Sequence, residues 1–191
     1  MTKIPFLGFC KKRLSKDIGP VKSKRLIINN IEYNIKTFLH MKQYYLSFYL
    51  TPSYKFRTFC FSINKKIVSQ KGSSMGRRIW YLKKICKGPI VLFGSDIPNI
   101  RLSYIEHMFY ILKHKDIAIA PTFDGGFWAI GFSNKRPISF PFTEVSWSSK
   151  KTLSDLLSNL RSLKISYSTA QKLRDIDIFK DYCNYVLRFR Q

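Results

Sequence analysis

Two carboxylates follow short apolar runs. Asp96 comes after Ile90-Val91-Leu92-Phe93 and Gly94-Ser95, and Asp124 comes after Ile117-Ala118-Ile119-Ala120 and Pro121. A carboxylate just past a buried strand suits Mg2+ or Mn2+, hard cations that prefer oxygen ligands. The same position also suits a helix cap or a side chain that stabilises a loop. Gly125-Gly126 after Asp124 permits a sharp turn or a close approach to a ligand. Further on stand Asp175-Ile176-Asp177 and then Asp181. Asp175 or Asp177 could add a second metal ligand. Alternatively Asp177 caps a final helix whose first turn holds Asp181, where the helix dipole favours it. Lys11-Lys12-Arg13, between Gly8 and Gly19, could cradle phosphates or form a solvated basic run.

These residues need elements to position them. The apolar runs 90–93 and 117–120 read as strands covered on both faces. Between them Leu102, Ile105, Phe109 and Leu112 recur at helical spacing over 102–114, which predicts a parallel βαβ unit with its two strands close together. Residues 44–50 and 127–132 read as further strands. Residues 75–86, 150–163 and 176–189 read as helices, the first of them ended by Gly88-Pro89. Strands alternating with helices predict an α/β sandwich around a mainly parallel sheet. Ligands of such sheets bind beyond the carboxyl ends of the strands, where Asp96 and Asp124 fall. No repeat or linker divides the chain, so one domain over 1–191 is expected.

The 191 residues, 45% of them hydrophobic, suffice for a core, and no apolar run spans a membrane. No leader-like stretch follows Met1, so a cytoplasmic protein is expected. Cys10, Cys60, Cys86 and Cys183 form no zinc pattern and read as reduced thiols. The three histidines, His107 and His114 on one helix and His40 apart, lack a completing carboxylate. The net charge is +23, with 20 Lys/Arg against 2 Asp/Glu in residues 1–90. So basic a half attracts polyanions, although a composition rich in Lys, Ile, Asn, Phe and Tyr can also arise without selection for binding.

In order along the chain, these motifs resemble a known family. They are Lys3-x-Pro5-x-x-Gly8-x-x-Lys11-Lys12-Arg13-Leu14, then Gln70-x-Gly72-Ser73-Ser74-Met75-Gly76-x-Arg78, then Gly94-Ser95-Asp96-Ile97-Pro98. Pro121-x-x-Asp124-Gly125-Gly126-Phe127-Trp128-x-Ile130-Gly131, Trp147-Ser148 and Asp175-Ile176-Asp177-x-x-x-Asp181 complete the set. The chain resembles the bacterial glycosyltransferase-like family of radical-SAM/selenodomain-associated transferases, which is similar to 2-phospholactate and molybdenum-cofactor guanylyltransferases. The resemblance implies a GT-A-like (Rossmann-like) three-layer sandwich and a nucleotide-diphospho-sugar transferase domain. It implies that Lys11 and Arg13, with Gly8, Gln70 and Gly94, bind nucleotide phosphates. Asp96, with Asp177 or Asp175, would hold Mg2+ or Mn2+. Asp124, Gly125, Gly126 and Trp147 would line the acceptor or sugar side.

Three departures stand out. Only Met1-Thr2 precede Lys3, so the family's apolar first strand is expected to be missing or truncated, unless the start lies upstream. Ser74 stands where the family has Asp, and Lys12 where it has Thr. The expected function is metal-dependent transfer from a sugar nucleotide or a nucleoside triphosphate to a small acceptor. One alternative is a weak or inactive nucleotide-binding paralogue. The other is a basic nucleic-acid-binding protein, which Tyr44, Tyr45, Tyr49 and Tyr54 could serve by stacking. That alternative lacks a recognition motif, and nucleic acid is the less favoured partner.

Overall fold

The computed structural model describes residues 1–3, 11–38, 43–51, 66–98 and 100–188. In chain order these form β1 (Thr2–Lys3), α1 (Lys12–Ile18), α2 (Pro20–Phe38), β2 (Ser47–Thr51), β3 (Lys66–Ser69), α3 (Met75–Ile85) and β4 (Ile90–Phe93). Then come α4 (Leu102–Leu112), β5 (Ile117–Pro121), β6 (Phe127–Phe132), α5 (Thr152–Ser162), β7 (Tyr167–Thr169) and α6 (Phe179–Arg188). The chain divides into two compact units. One comprises residues 1–69, 94–100 and 174–191, and the other 70–93 and 101–173. No helix of the described residues is long and apolar enough to cross a membrane.

The first unit holds a parallel sheet in the order β1-β2-β3. A strand of two residues stands at the first position, with Thr2 opposite Leu50 and Lys3 opposite Thr51. Gly19 separates α1 from α2. Its φ of 83° lies in the left-handed region open to glycine, and its N–H donates to the Ser15 carbonyl at 3.1 Å. Pro20 then starts α2, where its missing N–H would have had no intrahelical partner. Ile27 and Ile31 of α2 are buried, with Ile35 and Phe48 of β2 against them. A second cluster joins Leu14 of α1, Leu26 of α2 and Ile176, with Ile18, Tyr182 and Tyr185 packed around it. This cluster brings the segment before α6 to the start of α1. Of the expected aromatic strand 44–50, Tyr49 and Leu50 are buried in β2, whereas Tyr45 lies before the strand and is fully exposed.

The second unit holds a four-stranded sheet in the order β4-β6-β5-β7. The segments expected to form a βαβ unit are present, but β4 and β5 are not neighbours. β6 lies between them and runs antiparallel to both. The connection 122–126 is short, so β5 and β6 pair locally as a hairpin and leave β4 the far edge of β6. β7 adds to β5 in parallel. Side chains alternate between the faces. Ile117, Ile119, Ile130 and Phe132 join Ile79 of α3 and Leu156 and Leu160 of α5 in one core. On the opposite face Ala118, Ala120 and Ala129 are buried, Ala118 paired with Gly131 and Ala120 with Ala129, and a Cβ on Gly131 would meet Leu112 of α4 at 2.9 Å. Small residues thus let α4 close on that face. The sheet lies between two helical layers.

Buried Asp116 ties this sheet's end together. It accepts from Arg136 Nε and Nη2 at 2.9 and 2.6 Å, and from the Ser166 amide and hydroxyl at 2.9 and 2.7 Å. Burial works to raise its pKa. The Arg136 and Ser166 hydrogen bonds outweigh burial and hold it below the ordinary carboxylate value.

Candidate active site

In the first unit four predicted residues converge. Lys11 occupies the N-cap of α1 in a left-handed conformation, φ 42°. Its ammonium donates to Asp96 Oδ2 at 3.0 Å and to Asp177 Oδ1 at 3.2 Å. Arg13, in the first turn of α1, reaches Asp177 Oδ2 at 3.5 Å. Lys11 is 11% exposed, while the Asp96 and Asp177 side chains are 43% and 41% exposed. The cation therefore sits inside and the carboxylates face outward. The expected phosphate loop is thus a helix start at Lys11–Arg13, and Gly8 lies outside the described residues.

The Asp96 loop is pinned from several sides. Ile97 and Ile100 are buried beneath it. The Ser95 hydroxyl donates to Thr2 Oγ1 at 2.7 Å, and the Ile176 amide points to the Asp96 carbonyl at 3.5 Å. The sequence alone assigns Ser95 no role. Its place beside Asp96 was the available signal. Asp181 acts as a cap. One of its oxygens accepts from the Asp177 and Ile178 amides at 3.3 and 3.2 Å, satisfying donors at the start of α6. This leaves Asp177 free of the capping task that its position also allowed.

The electrostatics follow from this packing. Burial works to lower the Lys11 pKa, but the charge and hydrogen bond of Asp96, then Asp177 and Asp175, raise it overall. Burial works to raise the Asp96 pKa, and the charge and hydrogen bond of Lys11 hold it below the usual carboxylate value. Asp175 thus acts on Lys11 through its charge. Among the described residues no three His, Cys, Asp or Glu side chains converge as a complete ligand set. The Asp96–Asp177 pair nevertheless fits Mg2+ or Mn2+ in donor chemistry. Such ions are held by one or two carboxylates and complete their shell with phosphate oxygens and water.

The other predicted residues lie in the second unit, apart from Gly94, which follows β4 and opens the Asp96 loop. Asp124 Oδ1 accepts from the Thr122 hydroxyl and from the Gly126 amide at 3.1 Å, so it shapes the β5–β6 turn. Gly125 has φ 90°, and a Cβ there would lie 2.2 Å from the Lys150 carbonyl. Its own carbonyl accepts from Leu153 at 2.9 Å, docking this turn on the start of α5. Trp147 packs on Phe127 and Phe142 with ring centroids 6.2 and 5.8 Å away. Gln70 follows β3 and leads into α3, where the Gly72 carbonyl accepts from Arg78 Nε at 3.1 Å. Ser74 caps α3 by accepting from the Arg77 amide at 3.2 Å. The cap is a service that Ser and Asp perform about equally well.

Comparison with known proteins adds to this geometry. The profile of a family described as "Uncharacterized protein conserved in bacteria (DUF2064)" matches residues 49–149. No curated protein matches. Among solved structures, a candidate nucleotide-diphospho-sugar transferase from Desulfovibrio desulfuricans G20 superposes with a TM-score of 0.87 at 21% identity. The match covers 100% of this chain and 85% of that one. A CMP:2-keto-3-deoxy-manno-octonic acid synthetase complexed with CTP superposes at TM-score 0.54 and 10% identity, covering 84% and 86%. A homologue of Mycobacterium tuberculosis Rv0371c from Mycobacterium sp. strain JC1 matches at TM-score 0.54 and 13% identity, covering 98% and 93%. The fold is therefore the α/β fold of nucleotide-diphospho-sugar transferases.

Proposed function

The chain belongs to the DUF2064 family, and from that premise we propose that it is a metal-dependent transferase using a nucleotide-activated donor. The observation that carries this reading is the meeting of Lys11, Asp96 and Asp177 in a fold of this kind. A structural neighbour complexed with CTP supports a nucleotide as the donor's handle. We read the two compact units as one transferase domain, cytoplasmic, related to the radical-SAM/selenodomain-associated transferases and the guanylyltransferases.

Asp96 and Asp177 would hold Mg2+ or Mn2+, with Asp175 adding negative charge nearby. The bound cation would neutralise charge gathering on the departing phosphate. Lys11 and Arg13 bind the phosphates and stabilise the same charge. Lys11 suits a compact phosphate oxygen and Arg13 a bidentate contact. Asp124, Gly125 and Gly126 shape a turn on the acceptor or sugar side. Trp147, packed on Phe127 and Phe142, would line the same side.

Calorimetric titration of sugar nucleotides and nucleoside triphosphates, with and without Mn2+, tests the reading. We expect binding that requires Mn2+ and disappears in Asp96→Asn. Release of nucleoside diphosphate would assign glycosyl transfer, and release of pyrophosphate nucleotidyl transfer. Binding that ignores both the metal and Asp96 would sink the proposal. Metal-dependent binding without turnover over a broad acceptor panel would favour the inactive paralogue.

A further inference from the structure

We propose that Lys11 is the resident counter-ion of the Asp96–Asp177 pair, so that divalent metal and diphosphate load this site cooperatively and bare metal loads it poorly. The proposal rests on reading those two aspartates as metal ligands, and it adds the order in which the site fills.

The geometry points one way. One ammonium nitrogen serves an oxygen of each aspartate, at 3.0 and 3.2 Å. It thus occupies the position that a cation shared by the two carboxylates would take. Because the carboxylates are open while the lysine is enclosed, solvent access does not limit an arriving metal. The ammonium does. Lys11 and Arg13 together balance the charge of the two carboxylates. A divalent ion entering beside Lys11 would face a like charge at close range. Its entry requires the lysine to leave, and the lysine requires another anion. A diphosphate supplies one, and offers oxygens to the metal as well. The flexible four-carbon stem of lysine permits that transfer. Arg13 holds the second oxygen of Asp177 only at 3.5 Å and is 79% exposed, so it blocks nothing. Cooperative loading is reciprocal: whatever factor diphosphate adds to metal affinity, metal adds to diphosphate affinity.

Mn2+ binding to the full chain, followed by the electron paramagnetic resonance of the free ion, tests this without any turnover. Wild type should bind Mn2+ weakly, and pyrophosphate should tighten retention of the metal by about tenfold or more, the usual scale of such coupling. Lys11→Met should bind bare Mn2+ about tenfold more tightly than wild type and lose most of the coupling to pyrophosphate. Lys16→Met, at an exposed lysine of α1 outside this cluster, makes the same change in net charge without vacating the shared position, and it should leave bare Mn2+ affinity near wild type. Lys11→Arg should restore the wild-type weakness. Folding of each variant is checked by circular dichroism, and the coupling in wild type stands as a test should Lys11→Met not fold.

Equal Mn2+ affinity in wild type and Lys11→Met overturns the proposal, as does an equal gain in Lys16→Met. If metal-dependent nucleotide binding is still lost in Asp96→Asn, the reading of the site survives that failure. Absence of Mn2+ binding in all folded variants, with and without pyrophosphate, overturns both.

Discussion

Asp177 and Asp181 are four residues apart, yet they do different work. Asp177 turns one oxygen to Lys11 and the other to Arg13, and Asp181 turns back to the amides at the start of α6. Asp177→Asn should weaken metal-dependent nucleotide binding about tenfold or more, because a charge-assisted contact is worth roughly 1.5–3 kcal/mol. It should leave thermal stability almost unchanged. Asp181→Ala should do the reverse, costing about 1 kcal/mol of stability, the usual worth of a helix cap, with binding intact. Calorimetry and denaturant unfolding on both variants check the contrast. At this scale the sequence was partly legible. Carboxylates after apolar runs marked Asp96, and the motif order pointed to Asp177. The bridging of Asp96 to Asp177 by Lys11 was not legible. It depends on the cluster of Leu14, Leu26 and Ile176, whose members are far apart in the chain and share no local pattern.

Among the elements, long apolar periods read well. α3, α4, α5, β4, β5 and β6 fall within a few residues of expectation. α2 escaped because its buried face carries Ser23, Asn30 and Asn34 between Leu26, Ile27 and Ile31, which breaks the apolar stripe that signals a helix. The insertion of β6 between β4 and β5 escaped because periodicity identifies strands and says nothing of their neighbours. Asp116 was passed over for a related reason. Its partners Arg136 and Ser166 come from separate connections that meet only after the sheet forms. Its lowered pKa makes a prediction about acid. A carboxyl held below its unfolded value contributes stability above the unfolded pKa, and loses it as pH falls through the folded one. Acid unfolding should therefore steepen below about pH 4, the ordinary carboxylate range. Asp116→Asn should cost about 1–3 kcal/mol at neutral pH and flatten that acid limb. Urea titrations from pH 7 to pH 3 measure both.

For the whole molecule, charge is the dominant quantity. The surplus in residues 1–90 is strong enough to attract any polyanion, and Tyr45 is exposed, as a stacking residue would be. Tyr49, by contrast, is spent on packing β2. A bulk field without a reading surface gives attraction that salt removes, because the Debye length falls to about 8 Å at physiological ionic strength. Retention of the protein on single-stranded DNA should therefore vanish by about 100–150 mM salt, whereas specific binders hold on there. Retention that persists would favour the nucleic-acid alternative.

Lys11 and Asp177 are separated by 166 positions, so their meeting closes a long loop. Bringing such distant segments together costs on the order of 4–5 kcal/mol of chain entropy. Hairpin pairing of β5 with β6 carries no such charge on its formation. On the ribosome, β4, β5 and β6 have all been made by residue 132, well before Asp177, and their pairing needs nothing beyond it. On the proposed reading, the residues that would hold metal and phosphate meet only once Asp177 has been made, so a chain ended before it could pair β4, β5 and β6 without completing the site.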